Sequence, residues 1–317
     1  MKCQHIHNLV SAFVYAFLCA VLGLLLASCA EQGDVRTTPE IRKAWKAMDK
    51  DDVAGLARLL DAGLSVNARC IHKPSQKPYI SLLGYAFLGN APNSVMFLIQ
   101  KGVDIYVLGS EEDLPLAWCV HIRDENAREH IASKLLDLGA DINATNRSSG
   151  STALMSAIST QHIDYAKFLV DNGADVDVRG SKGKTLLMMA ADRGGIPGIE
   201  LVLRHVPHQV NLTDALGRNA LYYAINSFFN ALQKVQLLIE AGENVYHVDA
   251  QNETLLFEAT RMGDFKMIEF LLQNGVDASV TNNEGKTVLD YAEQIRLPQI
   301  KEAFNNHAKY MEPNNAP

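Results

Sequence analysis

Gly150 to Asp177 reads G-S-T-A-L-M-S-A-I-S-T-Q-H-I-D-Y-A-K-F-L-V-D-N-G-A-D-V-D. A turn glycine opens it, and Thr152 stands where a hydroxyl can cap a helix. The pattern predicts a first helix led by Leu154 and Ala157, then a polar break from Ser159 to His162. A second helix follows through Ile163, Ala166, Phe168, Leu169 and Val170, and Gly173 stops it. Phe168 and Leu169 are expected in the core. Two helices this short cannot bury their own apolar faces, so the unit needs neighbours of its own kind.

The rest of the chain supplies them. Stop glycines recur at Gly63, Gly102, Gly139, Gly173, Gly242 and Gly275, spaced 39, 37, 34, 69 and 33 residues apart. The long gap is a double step, because a fifth unit carries Val206 where its glycine would stand. An apolar pair precedes each glycine, from Leu59-Leu60 to Leu271-Leu272. Each first helix carries a small residue at one fixed place: Ala47, Ala86, Cys119, Ala157, Ala190, Ala224, Ala259 and Ala292. A small side chain there lets two helices approach closely.

These features resemble the ankyrin-repeat family, with its period of about 33 residues and its T-P-L-H-x-A signature. The matching segments are T-A-L-M-S-A from Thr152, T-L-L-M-M-A from Thr185, N-A-L-Y-Y-A from Asn219, T-L-L-F-E-A from Thr254 and T-V-L-D-Y-A from Thr287. Looser matches begin at Ser81 and Leu114, and the turn-forming Asp-x-x-Gly appears as Asp214 to Gly217. The family's signature His is absent: Met155, Met188, Tyr222, Phe257 or Asp290 takes its place. Its hydrogen bonds to the turn are therefore expected to be lost, with apolar packing substituting in most units.

The resemblance implies an all-α ankyrin-repeat solenoid, helix-turn-helix repeats joined by β-turn fingers. The array covers 39–307, as about seven repeats plus a C-terminal cap, and 308–317 reads as a disordered tail. The family binds proteins through its turn tips and the groove-facing surface of its first helices. By alignment those positions are Arg147, Ser181, Lys182, Ala215, Leu216, Ala250, Gln251 and Glu284 on the tips. On the first helices they are Ser159, Thr160, Asp192, Arg193, Asn226, Ser227, Arg261 and Met262. The chain is expected to act as a monomer.

The first residues are of another kind. Lys2 is the only Lys, Arg, Asp or Glu before Cys29, and Asn8 to Ser28 is apolar and ends Leu26-Ala27-Ser28-Cys29. A basic start, an apolar run and small residues at its end read as an export signal. The ending is similar to that of bacterial lipoproteins. That resemblance implies a signal peptide over 1–28, a lipid on the Cys29 thiol, a tether over 29–38, and a periplasm-facing anchor in the outer membrane. An uncleaved membrane-spanning helix is the alternative, since the run approaches the roughly 20 residues that cross a bilayer.

Departures from the period mark candidate surfaces. The first inter-repeat turn is six residues longer than its counterparts and holds Lys73 and Lys77, each followed by a proline; it is either a tolerated surface insertion or a basic finger that could grip an acidic partner. Four extra residues within His121–His130 are expected to extend the ends of both helices of repeat three into solvent. Phe228 and Phe229 sit at the break in repeat six, either as an anchor for a partner or as a cover for the next repeat. Tyr85, Trp118, Tyr223 and Tyr291 share one place in the repeat; they could form an aromatic binding stripe, but that place is normally apolar framework in the family and they read as inter-helix core. Cys70 and Cys119 are read as separate thiols.

Composition narrows the function. Of 317 residues, 29 are basic and 36 acidic, a formal net charge of −7. That balance disfavours nucleic acid, which needs a basic stripe. His205 and His208, three apart with no clustered cysteine, make a poor metal site. No nucleophile elbow, phosphate loop or His-Glu-x-x-His motif occurs, and the repeats leave no room for a catalytic domain. The expectation is a non-enzymatic scaffold for a periplasmic protein partner, without cofactor or metal. An inhibitor that neutralises a toxin is the alternative.

Overall fold

The structure, a computed structural model, describes residues 38–70, 80–106, 114–146, 149–227, 229–294 and 304. The signal segment with Cys29, the Lys73 and Lys77 finger, Arg147, Phe228 and the 308–317 tail lie outside the described residues. The chain divides into two compact units, one ending at Asp113 and one beginning at Leu114.

The first unit holds two helix pairs, α1 (Pro39–Met48) with α2 (Val53–Asp61), and α3 (Leu82–Leu88) with α4 (Pro92–Gln100). Pro39 starts α1, where a missing N–H costs nothing, and the Thr38 hydroxyl accepts the Ile41 amide at 3.3 Å. First helix packs on first helix and second on second. Leu56, Leu83, Phe87, Val95 and Leu98 are sealed between them. Asp51, in a left-handed turn, accepts the Ser94 amide at 2.7 Å and ties one pair to the next. Arg69–Cys70 (β1) pairs antiparallel with Ile80–Ser81 (β2) at the base of the long turn.

The second unit repeats the plan. Its first helices are α5 (Pro115–Trp118, continued by a 3-10 turn over Cys119–His121), α7 (Ala153–Ser159), α9 (Leu186–Met189), α11 (Ala220–Ile225), α13 (Leu255–Met262) and α15 (Val288–Gln294). Its second helices are α6 (Glu125–Asp137), α8 (Ile163–Asp171), α10 (Gly195–His205), α12 (Ala231–Glu240) and α14 (Phe265–Gln273). The first helices stack in order from α5 to α15, and α6, α8, α10 and α12 stack behind them. This is the two-layer all-α solenoid of ankyrin repeats. Every small residue of the fixed place is buried, from Ala47 to Ala292. All six stop glycines have positive φ, which ends each second helix without a Cβ clash.

The fingers between repeats are held by a backbone ladder. Ser181 N donates to Ser149 O, Ala215 N to Lys182 O, Ala250 N to Leu216 O and Asn283 N to Gln251 O, each at 2.9 Å. Within three fingers one carboxylate or amide oxygen closes the turn. Asp214 accepts from Leu216 and Arg218, Asp249 from Gln251 and Glu253, and Asn282 from Glu284 and Lys286. Gly217 is required: its φ is +71°, and a Cβ would lie 2.7 Å from the Ala250 nitrogen.

Several expectations need correcting. Phe168 is half-buried, and Tyr165 is the aromatic of α8 that is fully buried, its hydroxyl donating to the Leu116 carbonyl at 2.7 Å. The extra residues of repeat three lengthen the second helix alone, which begins at Glu125 under an Asp124 cap. Arg128 within them is buried and donates to the carbonyls of Ile122 and Arg123, the groups left open where the 3-10 turn ends. Met155, Met188, Tyr222 and Phe257 do replace the signature His by packing. Tyr222 also hydrogen-bonds the Glu253 carbonyl, so a link to the following finger survives. Repeat five has a π turn over Ala190–Gly194 that nothing in the repeat pattern predicts.

Candidate partner-binding groove

The fingers and the first helices of repeats three to five enclose a cavity of about 780 Å³ in the second unit. Fingertip residues Ser149, Ser181 and Lys182 form one wall. Trp118, Met155 and Met189 give an apolar floor, while Ser159, Thr160, Asp192 and Arg193 form the far wall. The frame is set by the sequence. Thr152 and Thr185 cap α7 and α9 by accepting the amides of Met155 and Met188, both at 3.2 Å. The fingertip ladder fixes the opposite side.

The π turn shapes the far wall. Gly194 is packed so closely that a Cβ would sit 2.8 Å from Ile158 Cγ2, and Gly195 takes φ +68°. The widened turn leaves carbonyls free, and buried Lys234 of α12 fills that vacancy. Its Nζ donates to Ala191 O at 2.9 Å and to Asp192 O at 3.4 Å. Gln161 donates to the Arg193 carbonyl at 2.8 Å from the other side. Burial pulls the Lys234 pKa down to about 8, with Asp192 opposing the shift.

Charge on the rim is unbalanced. Lys184 lies 4.1 Å above the Tyr223 ring, and its Nζ is 3.9 Å from Asp192 Oδ2. Burial lowers its pKa, and the Asp192 and Asp214 carboxylates pull the other way. Asp192 is also 3.8 Å from Arg193 Nε. Lys182 is exposed in a left-handed conformation, φ +59°, and no acid pairs with it among the described residues. His121 lines the cavity edge-on to Trp118, its pKa lowered by burial.

Of the residues expected to bind a partner, Ser159, Thr160, Ser181, Lys182, Asp192 and Arg193 therefore meet at one cavity. Asn226, Ser227, Gln251, Arg261 and Met262 do not line it. Ser227 is buried and donates its hydroxyl to the Ala224 carbonyl at 2.7 Å, so it is not a surface contact. Asn226 donates its amide to Tyr222 O at 3.0 Å. Arg261 is held by Glu253 at 2.7 Å and by Glu258, and lies over the Tyr291 ring. Met262 and the Gln251 tip are exposed.

The shared aromatic place is not core. Tyr85, Trp118, Tyr223 and Tyr291 are all half-buried on the first-helix face. Tyr85 donates to Asp49 at 2.8 Å and stacks on Trp45, and Tyr223 donates to Asp214 at 2.6 Å. Trp118 and Met189 share that place, two residues after the signature Leu, whereas Lys184 precedes the Thr185 cap of α9 and lies outside that phase.

Cys119 is a free thiol, fully buried, with burial pushing its pKa up to about 12. His208 pairs with Asp177 at 3.0 Å in the irregular turn of repeat five. Among the described residues no group of three His, Cys, Asp or Glu side chains is placed to hold a metal ion, and no helix is long and apolar enough to cross a membrane.

A family model described as ankyrin repeats in three copies matches residues 82–180 and 227–300, more than half of the chain. The chain belongs to the ankyrin-repeat family. The stretch between the two matches contains the π turn and Val206, which stands where the fifth stop glycine would. Among curated relatives, the array is similar to a Danio rerio protein named for a palmitoyltransferase, ZDHHC13, with 28% identity over 83% of this chain and 34% of the relative. A fowlpox virus ankyrin repeat protein, FPV230, is 25% identical over 57% of this chain and 93% of its own length. Palmitoyltransferase AKR1 of Lachancea kluyveri is 26% identical over 70% of this chain and 29% of that protein. The chain thus spans about a third of the two relatives named as transferases. Ankyrin repeats are, as a class, modules of protein–protein interaction.

Proposed function

We propose that this ankyrin array is a non-enzymatic scaffold that seats a protein partner in the groove of repeats three to five. In this reading it acts at a bacterial envelope, lipid-anchored through Cys29 at the outer membrane and facing the periplasm. The observation that carries it is the cavity itself: six residues expected to touch a partner surround one apolar floor. Capped helices and a backbone ladder hold that surface ready, which reduces the ordering cost of binding. The names of ZDHHC13 and AKR1 raise acyl transfer as a rival. Against it stands Cys119, the one cysteine whose side chain is described, which is sealed and held protonated where a nucleophile needs an accessible thiolate.

A photo-crosslinking amino acid at Ser181, used in intact cells with mass spectrometry, tests the groove. One protein should be captured there and not from Glu200, exposed on α10. Identical capture from both positions, or none from Ser181, refutes the reading. The anchor has its own test: Cys29→Ser should abolish incorporation of radiolabelled palmitate, and label that persists overturns the lipid attachment.

A further inference from the structure

The rim of the groove is cationic in a chain whose formal charge is −7. Asp192 is the one acid among the residues lining the cavity with Lys182, Lys184 and Arg193; it stands at 3.9 and 3.8 Å from the last two, and Asp214 adds a weaker pull on Lys184 from outside the lining. Those separations are longer than a close ion pair, so neither cation is neutralised at contact distance. Lys182 projects from a left-handed fingertip with no acid beside it among the described residues. Lys184 is half-buried, so it has lost water without gaining a close carboxylate. Beneath these cations lies a floor of the half-buried Trp118 indole and Met189 thioether, backed by the sealed Met155, which accommodates an apolar side chain of variable shape.

Resting on the scaffold reading above, we infer that the segment seated in this groove is an acidic peptide. It places an apolar side chain against Trp118 and Met189, and carboxylates from adjacent positions against Lys182, Lys184 and Arg193. A basic segment would meet three like charges. A nucleic-acid strand would need cations continued along its backbone, whereas this cluster sits in an acidic chain.

The test is selection of a random dodecapeptide display library on the full chain, immobilised by a C-terminal tag. Recovered peptides should be enriched in Asp or Glu beside Leu, Ile, Met or Phe. Their binding should weaken on Trp118→Ala. It should weaken about tenfold or more on the double substitution Lys182→Gln with Arg193→Gln, and fall with added salt. Both cations are exposed, and an unchanged far-ultraviolet spectrum verifies that the double variant is folded. Peptides that need Trp118 but carry no acidic enrichment, or ignore the double substitution, overturn the acidic-segment inference and leave the groove reading standing. If no recovered peptide depends on Trp118, both fall. Oligo-thymidylate binding with the same dependence on Lys182 and Arg193 overturns the inference in favour of nucleic acid.

Discussion

Glu243 stands where other repeats place an apolar residue after the stop glycine, such as Val103, Ala140, Ala174 or Val276. It is buried, one carboxyl oxygen accepting the Asn211 amide at 3.2 Å and the other without a partner. Burial raises its pKa to about 7, and the Asn211 bond opposes the shift. Because the folded chain holds this proton more tightly than the unfolded one, the associated stability is full below about pH 4.5 and is lost as pH rises through about 7. The amount is at most about 3 kcal/mol. His162 slopes the other way. Burial, then Arg128 and His121, lower its pKa to about 4, so its share is lost as pH falls from 6.5 through 4. The two overlap in mildly acidic solution. Urea midpoints of Glu243→Gln against the parent, between pH 5 and pH 8, should therefore show the loss of the first slope alone; parallel curves would refute the assignment.

At the scale of the element, Leu169 is fully buried in α8, and Leu169→Ala should cost ~2–5 kcal/mol by chemical denaturation. A loss within error of zero would contradict this packing. Gly217→Ala forces a Cβ into the next finger and a positive φ on alanine, an expected cost of about 1–3 kcal/mol. Lys234→Met removes the donor to the carbonyls of Ala191 and Asp192, so amides of residues 190–195 should exchange faster than those of α7. Local signals were readable beforehand. Stop glycines, small residues and hydroxyl caps act within one turn of chain, so the sequence displays them directly. What depended on a second repeat was hidden. Tyr165 and Phe168 lie three apart on one helix, and it is Tyr165 that is sealed, its hydroxyl on the Leu116 carbonyl of the preceding repeat. Arg128 is buried because two carbonyls of the preceding turn require a donor. The groove divided in the same way: tips, helix ends and the shared place of Trp118 and Met189 came from the repeat register, whereas their meeting with Lys184 at one cavity came only from stacking.

At the scale of the molecule, contacts in the second unit run between neighbouring repeats, so a defect should spread by adjacency rather than through a common core. Leu169→Ala should accelerate amide exchange most in repeat four, less in repeats three and five, and least in repeat seven. Uniform acceleration across the unit would mean that it unfolds as one block. The fingertip ladder has a different bearing. Its bonds join main chain to main chain, so the side chains at Ser181, Ala215 and Gln251 contribute nothing to it. A lineage could rewrite those letters one at a time, and so exchange one client for another, without passing through an ancestor that failed to fold.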